Sequence, residues 1–293
     1  MILTADRDTS LIDLLLEAFP DSNRTRLKKA IRLGCVSTAD GALMKHAETP
    51  LHKGERVSFK RYSARELYRE KAPFRILYED DDLMVVFKPA GILTSGRTTE
   101  KVRSMFGIVN SYVLQKTRHR QRAYTVHRLD REVCGLLMFA KNEETKAFLQ
   151  DHWQEVEKKY YALVEGCPEK ASGVCSSFLK ENARQVMYSV AQEEAGAKWA
   201  VTHYRTLRRH EAEGTALLEV RLETGRKNQI RVHLSDMGCP IVGDRKYGAD
   251  DSVKRQIRLM AYSLAFPNPR TGRREKVEIG LPKDFELLTG VEQ

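Results

Sequence analysis

The chain has 293 residues, 41% hydrophobic and 31% charged, enough apolar material for one large or two unequal folded domains. Its longest apolar runs, Leu83–Phe87 and Gly135–Ala140, have strand length and fall far short of the roughly 18 residues a membrane helix needs. A net charge of +10 favours a polyanionic partner. The N-terminus lacks the basic-then-apolar order of a secretory leader, so the expectation is a cytoplasmic, monomeric protein without membrane contact. Five scattered cysteines without a C-x-x-C pair read as small buried hydrophobes in a reducing compartment.

From the start of the chain, Leu11, Leu14, Leu15, Ala18 and Phe19 recur at helical spacing. Asp21-Ser22-Asn23 breaks that pattern and offers a cap for a second helix, which Gly34 ends. Arg24, Lys28 and Arg32 stand at i, i+4 and i+8, so they align positive charge on one face of that helix. A strand over Cys35–Thr38, an Asp40-Gly41 turn and a strand near Arg56–Lys60 complete the unit. Asn23-Arg24, Ile31-Arg32-x-Gly34 and Lys53-Gly54-Glu55-Arg56-Val57 resemble the αL RNA-binding module, shared by a ribosomal protein, tyrosyl-tRNA synthetases and many pseudouridine synthases. The module's V-x-V-N-G is replaced by the longer Val36-Ser37-Thr38-Ala39-Asp40-Gly41. The resemblance implies that residues 1–62 bind RNA through Arg24, Lys28 and Arg32.

Residues 61–73, charged and ending in Pro73, read as a linker. Beyond it, Arg75–Tyr78 and Leu83–Phe87 read as strands around Glu79-Asp80-Asp81-Asp82. Those carboxylates could gather a metal, but a hairpin turn accounts for them better. Residues 101–129 hold no Asp or Glu and seven Lys or Arg, among them Arg128, which again favours nucleic acid. Thr145–Val156 has a helical period, Tyr160–Glu165 and Ala216–Glu223 read as strands, and Arg226–Met237 reads as a helix stopped by Gly238.

One segment, Val126 to Lys141, runs from a charged turn directly into a buried apolar strand and places Asp130 at the mouth of a core element. On local chemistry, Asp130 could be catalytic or a turn cap paired with Arg128. The segment resembles the H-R-L-D-x-x-T-S-G-L-L-L-F-A-K signature of ribosomal large-subunit pseudouridine synthases, with Val133-Cys134 in place of Thr-Ser. In the same order, Lys158-Lys159-Tyr160-Tyr161-Ala162-Leu163-Val164-Glu165-Gly166 resembles K-x-Y-x-A-x-V-x-G. The segment Thr224-Gly225-Arg226-Lys227-Asn228-Gln229-Ile230-Arg231-Val232-His233 resembles T-G-R-T-H-Q-I-R-V-H, with Lys227-Asn228 in place of Thr-His. The likeness extends over roughly residues 74–285.

The resemblance implies an α+β catalytic domain over residues 74–293, built on a mixed, largely antiparallel sheet, behind a small N-terminal helical and β RNA-binding domain. It implies catalytic roles for Asp130, Tyr160 and Arg231, with Arg128 and Arg226 among the RNA contacts. Pseudouridine formation breaks a uridine's glycosidic bond, turns the base and rejoins it through carbon; an ionised carboxylate can attack either the ribose or the ring. Arg231 is expected to align that carboxylate by bidentate pairing, and Tyr160 to pack against the flipped base and assist a proton transfer. The reaction moves no electrons, so neither a metal nor an organic cofactor is expected. The His127-Arg128-Leu129-Asp130 run lacks the kinase order and its following D-F-G, and Gly238-x-x-x-x-Gly243 lacks the Lys of a P-loop. The expected partner is RNA, with ribosomal RNA favoured over transfer RNA; the other class of function is a non-catalytic RNA-binding or ribosome-assembly factor.

Overall fold

Ser10 sets where the first helix begins: its hydroxyl oxygen accepts the Asp13 backbone N–H at 3.3 Å in the computed structural model. The structure describes residues 1–32, 35–59, 74–96, 104–250, 256–282 and 285, and the chain divides into two units, Met1–Ala72 and Pro73–Gln293. In the first, β1 (Ile2–Thr4) and β2 (Thr9–Ser10) lead to α1 (Leu11–Ala18) and α2 (Arg24–Arg32). Then follow β3 (Val36–Thr38), β4 (Pro50–Leu51) and β5 (Arg56–Phe59). Leu11, Ile12, Leu14 and Leu15 of α1 meet Leu27 and Ile31 of α2 over Val36, Val57 and Phe59, and each such fully buried side chain contributes about 1.5–3 kcal/mol. The strands form an antiparallel sheet in the order β1-β5-β3, and β2 pairs with β4. The Asp40-Gly41 turn closes by the Gly41 N–H to Thr38 carbonyl bond of 3.0 Å, with Gly41 at φ +91°. Gly34, the linker over residues 61–73, Lys101 and Arg103 lie outside the described residues, as does the Arg32 side chain.

The second unit starts with the hairpin β6 (Ile76–Glu79) and β7 (Leu83–Lys88), followed by α3 (Met105–Lys116), β8 (Tyr124–Thr125) and β9 (Cys134–Ala140). Next come α4 (Glu143–Asp151), β10 (Glu157–Glu165), β11 (Ser172–Glu181), β12 (Met187–Val190), β13 (Lys198–His210) and β14 (Thr215–Leu222). The last elements are α5 (Gln229–Asp236), β15 (Leu259–Pro267) and β16 (Arg274–Glu278). Among the described residues eleven strands form one sheet, ordered β12-β11-β13-β14-β10-β15-β9-β7-β6, with β16 on β15 and β8 on β9. Every pairing is antiparallel except β9 with β15. The second unit is therefore α+β with a mixed, largely antiparallel sheet. Strand alternation feeds a core on each face: Met84, Val86, Leu137 and Phe139 on one, Leu83, Val85, Leu136 and Met138 on the other. Burial on both sides explains why these strands read as unbroken apolar runs.

At the parallel join, Gly135 has φ +122° and a Cβ there would lie 2.1 Å from the Ala261 carbonyl oxygen, so no other residue fits. That join anchors β9 directly after the turn that carries Asp130. Two expected helices differ in extent. The periodic stretch over Thr145–Val156 is α4 up to Asp151 and then a tighter 3₁₀ turn over Trp153–Glu155. The stretch over Arg226–Met237 becomes helical only at Gln229, because Asn228 sits in the left-handed region at φ +52°. Cys35 and Cys239 are buried as expected, whereas Cys167 is exposed. No helix among the described residues is long and apolar enough to cross a membrane.

Candidate active site

Five residues selected from sequence, Arg128, Asp130, Tyr160, Arg226 and Arg231, line a single cleft of about 800 Å³ in the second unit, a volume within the range of about 300–1,000 Å³ usual for small-molecule sites. Asp130 lies four residues before β9, on a turn closed by the Val133 N–H to the Asp130 carbonyl at 3.2 Å. The turn is anchored from beneath by Lys88. Its ammonium donates to the carbonyls of Pro89, Ile92 and Arg131 at 3.1, 2.8 and 3.2 Å, tying the Lys88-Pro89-Ala90-Gly91-Ile92 loop to the turn that carries Asp130. The Lys88 side chain is fully buried, and burial pulls its amine down to about 8. Leu129 is pinned as well, its N–H donating to the Thr94 hydroxyl and its carbonyl accepting from it.

The donor that reaches Asp130 is Asn228. Its Nδ2 donates to Asp130 Oδ2 at 2.6 Å, and its Oδ1 accepts from the Tyr247 hydroxyl at 3.1 Å. That hydroxyl in turn accepts the Met187 backbone N–H at 3.2 Å. Gln229 fixes the loop behind: its Oε1 accepts from the Thr224 hydroxyl and the Arg226 N–H at 2.8 and 2.9 Å. The left-handed Asn228 is thus what aims an amide back toward the carboxylate, and it is the same feature that shortens α5.

The expected bidentate pairing of Arg231 with Asp130 is not formed. Arg231 directs its fork to Asp244, Nε to Oδ2 at 2.6 Å and Nη2 to Oδ1 at 2.7 Å. Its remaining edge, Nη1, stands 3.9 Å from Asp130 Oδ2 and 3.3 Å from Glu132 Oε2. The physical reason is burial: Asp244 is 1% exposed and requires a full counter-charge. Burial alone would lower the guanidinium's pKa, but Asp244, then Asp130 and Glu132, raise it above its ordinary value. Arg231 therefore supplies positive potential beside Asp130 without gripping it.

Tyr160 is buried on β10 on the side facing Asp130. Burial first, and then the nearby Asp130 charge, raise its hydroxyl well above the usual phenol range, so it stays protonated at neutral pH. It can therefore pack against a ring and donate a hydrogen bond. His127, also on the cleft, accepts the Met138 backbone N–H on Nε2 at 3.0 Å, which requires the neutral tautomer protonated on Nδ1. Burial, then Lys158, push its pKa down to about 3. Arg128 and Arg226 are exposed at the rim, and Arg226 Nε donates to the Trp199 carbonyl at 3.0 Å. In the first unit, Arg24 and Lys28 share a helix face, as expected, and both pair with Glu48, at 3.5 and 2.9 Å.

Asn228, Asp244, Tyr247 and Lys158 are site residues that sequence reasoning did not select. For Lys158 the signal was available: strand alternation puts it in phase with Tyr160 and Ala162. Asn228 was visible only as a departure from the family's His, and its contact with Asp130 spans 98 positions.

A mixed sheet with an anchored carboxylate turn, a protonated tyrosine and a buried guanidinium around one cleft defines an enzyme class. A family model described as RNA pseudouridylate synthase matches residues 82–236. An uncharacterized RNA pseudouridine synthase of Aquifex aeolicus is 31% identical over 94% of this chain and 90% of its own. The ribosomal large subunit pseudouridine synthase D of Pseudomonas aeruginosa is 31% identical over 95% and 90%. Among solved structures, human RNA pseudouridylate synthase domain containing 4 superposes with a TM-score of 0.60 at 26% identity, covering 72% of this chain and 90% of that one. The chain belongs to the RNA pseudouridylate synthase family. It is an isomerase that acts on RNA, which sets aside a purely RNA-binding role.

Proposed function

We propose that the protein converts uridines of large-subunit ribosomal RNA to pseudouridine, with Asp130 as the nucleophile. The observation that carries this reading is Asp130 itself: a partly exposed carboxylate on a clamped turn, aligned by Asn228, with Arg231 and Tyr160 in the same cleft. Attack of the carboxylate on the ribose carbon breaks the glycosidic bond. The freed uracil then turns, its C5 displaces the carboxylate, and the C5 proton is lost to water as N1 takes one up; addition to the ring is the alternative first step and needs the same carboxylate. Tyr160 packs against the flipped base and donates a hydrogen bond through its hydroxyl, and Arg231 supplies positive potential beside the carboxylate. Arg128 and Arg226 hold the RNA at the rim. Residues 1–62 add affinity and orientation by binding phosphates. The ribosomal target is supported by the names of relatives such as the Pseudomonas aeruginosa protein. Pseudouridine mapping of total RNA from cells with and without the gene tests it: sites should vanish from large-subunit ribosomal RNA, and loss from transfer RNA alone would overturn the target.

A further inference from the structure

Among the described residues of the second unit three lysines are buried, and two are accounted for. Lys141 pairs with Glu79 at 2.6 Å. Lys88 is saturated by three carbonyls. Lys158, on β10, is 7% exposed and lines the cleft beside Asp130 and Tyr160. Among the described residues it forms no ion pair and no hydrogen bond; its Nζ lies 4.9 Å from the centre of the Trp153 ring. Lys158 and Tyr160 oppose Leu222 and Val220 of β14 in an unbroken register, so both side chains leave the same face of the strand, about 6.5–7 Å apart.

An ammonium removed from water without a counter-charge is strongly unfavourable, and a ring face offsets only part of that. Burial accordingly lowers the Lys158 amine to about 8. The cleft supplies no internal remedy. Of its two carboxylates, Asp130 is engaged by Asn228 and Glu181 is paired with Lys227. On the other side Gly225 borders the ammonium, where a Cβ would stand 4.0 Å from Nζ, at ordinary contact distance. The missing anion must arrive with the substrate, and the anionic groups of RNA are its phosphodiesters. The offset from Tyr160 is comparable to the separation of a uracil ring from its own backbone phosphate.

We propose that Lys158 is a phosphate-binding residue inside the cleft, its ammonium pairing with a backbone phosphodiester next to the flipped uridine. This rests on the pseudouridine synthase reading of the cleft. It assigns to the interior of the site a contact that the exposed Arg128 and Arg226 supply only at the rim. Binding would relieve the desolvation of the lysine, so the phosphate is recognised by charge and position together.

The test uses the full-length protein with Lys158→Met, which keeps an unbranched stem against Trp153 and removes the charge. The RNA is a short stem-loop holding the mapped uridine, made with natural phosphates or with one neutral methylphosphonate on the 5′ or the 3′ side. On natural RNA the variant should bind about tenfold to a hundredfold more weakly, the range for one charge-assisted hydrogen bond. Its salt slope should fall by about 0.7–0.9. One of the two methylphosphonates should weaken wild-type binding to the same extent and leave Lys158→Met unaffected. The variant should melt at or above wild type, because an uncompensated buried charge is gone. Additive losses, undiminished affinity, or a variant that melts lower or fails to fold would each overturn the proposal. Affinity and salt slope are read without turnover, so a wild type that binds but releases no tritium from 5-tritiated uridine refutes the reading of the cleft and not this phosphate pairing.

Discussion

Charge is gathered at two places in the second unit, and the two are built on opposite principles. At the hairpin turn between β6 and β7, each carboxylate has a partner within the fold. Glu79 meets Lys141 at 2.6 Å and Lys116 at 2.8 Å, and Asp80 accepts the Asp82 and Leu83 N–H groups, both at 2.8 Å. Asp81 and Asp82 face Arg270. The turn that could have gathered a metal is a closed electrostatic joint. At the cleft, by contrast, Asp130 has one short neutral donor, Arg231 faces it with a single edge, and Lys158 has a ring face but no counter-charge among the described residues. Paired charge holds the fold together, whereas the cleft leaves charge unsaturated where a substrate can complete it.

The comparison breaks if the open carboxylate proves dispensable. Asp130→Asn should reduce tritium release from 5-tritiated uridine RNA by more than about a thousandfold, the scale expected for loss of a nucleophile. RNA affinity should stay within a few-fold, and release at near wild-type rate would remove Asp130 from the chemistry. Arg231→Ala tests the corrected pairing. It strands Asp244 without its counter-charge, so stability to urea should fall by about 3–5 kcal/mol. An unchanged midpoint would mean that the Asp244 fork carries little of the fold.

Asn228→Ala sharpens the view that Asp130 is aligned by a neutral amide. Turnover should drop about tenfold to a hundredfold, the loss expected for one hydrogen bond to a charged group, with RNA affinity unchanged. A purely structural role would instead lower the melting temperature and leave turnover per folded molecule intact. His127 gives a pH test. The folded state holds it at about 3, below the unfolded value of about 6.5. Between those values the unfolded chain binds the extra proton, so stability falls as pH falls, by about 2 kcal/mol from pH 7 to pH 5. His127→Gln keeps an acceptor for Met138 and should flatten that part of the profile. An equal slope in both proteins would assign it to carboxylates elsewhere.

Much of the fold was legible because the informative pattern was local. Gly135 to Ala140 read as a buried strand after a charged turn, and the helical periods of α1 and α4 lay within single windows. The cleft was half legible for the same reason. Asp130, Tyr160 and Arg231 sit inside contiguous motifs, so their identities could be read, but their partners could not. The Asp244 fork depends on how a loop after α5 folds back onto that helix. The Asn228 contact depends on a left-handed residue in a stretch whose side chains fit a helical period. Lys158 marks a different limit: alternation placed it inward, yet a lysine facing inward reads as an exception until its surroundings are seen.

The smallest effect is expected in the first unit, where charge is paired in a third way. Arg24 and Lys28 meet Glu48 and Asp13 at the surface, and hydrogen bonding from Lys28 lowers the Glu48 carboxyl below its usual value. Exposed pairs of this kind add little to stability and are weakened by salt. They can therefore exchange a carboxylate for a phosphate with little loss, which neither the closed hairpin joint nor the buried Asp244 fork can do. Arg24→Gln with Lys28→Gln should leave the thermal midpoint within error of wild type. On structured ribosomal RNA the same change should lower the salt slope of binding by about 0.7–0.9 for each phosphate that is no longer neutralised. Glu48→Gln should act in the opposite direction, removing the carboxylate that both cations share and tightening binding at low salt. A double variant with an unchanged slope would show that these charges serve only their own helix pair, and RNA affinity would then have to come from the second unit.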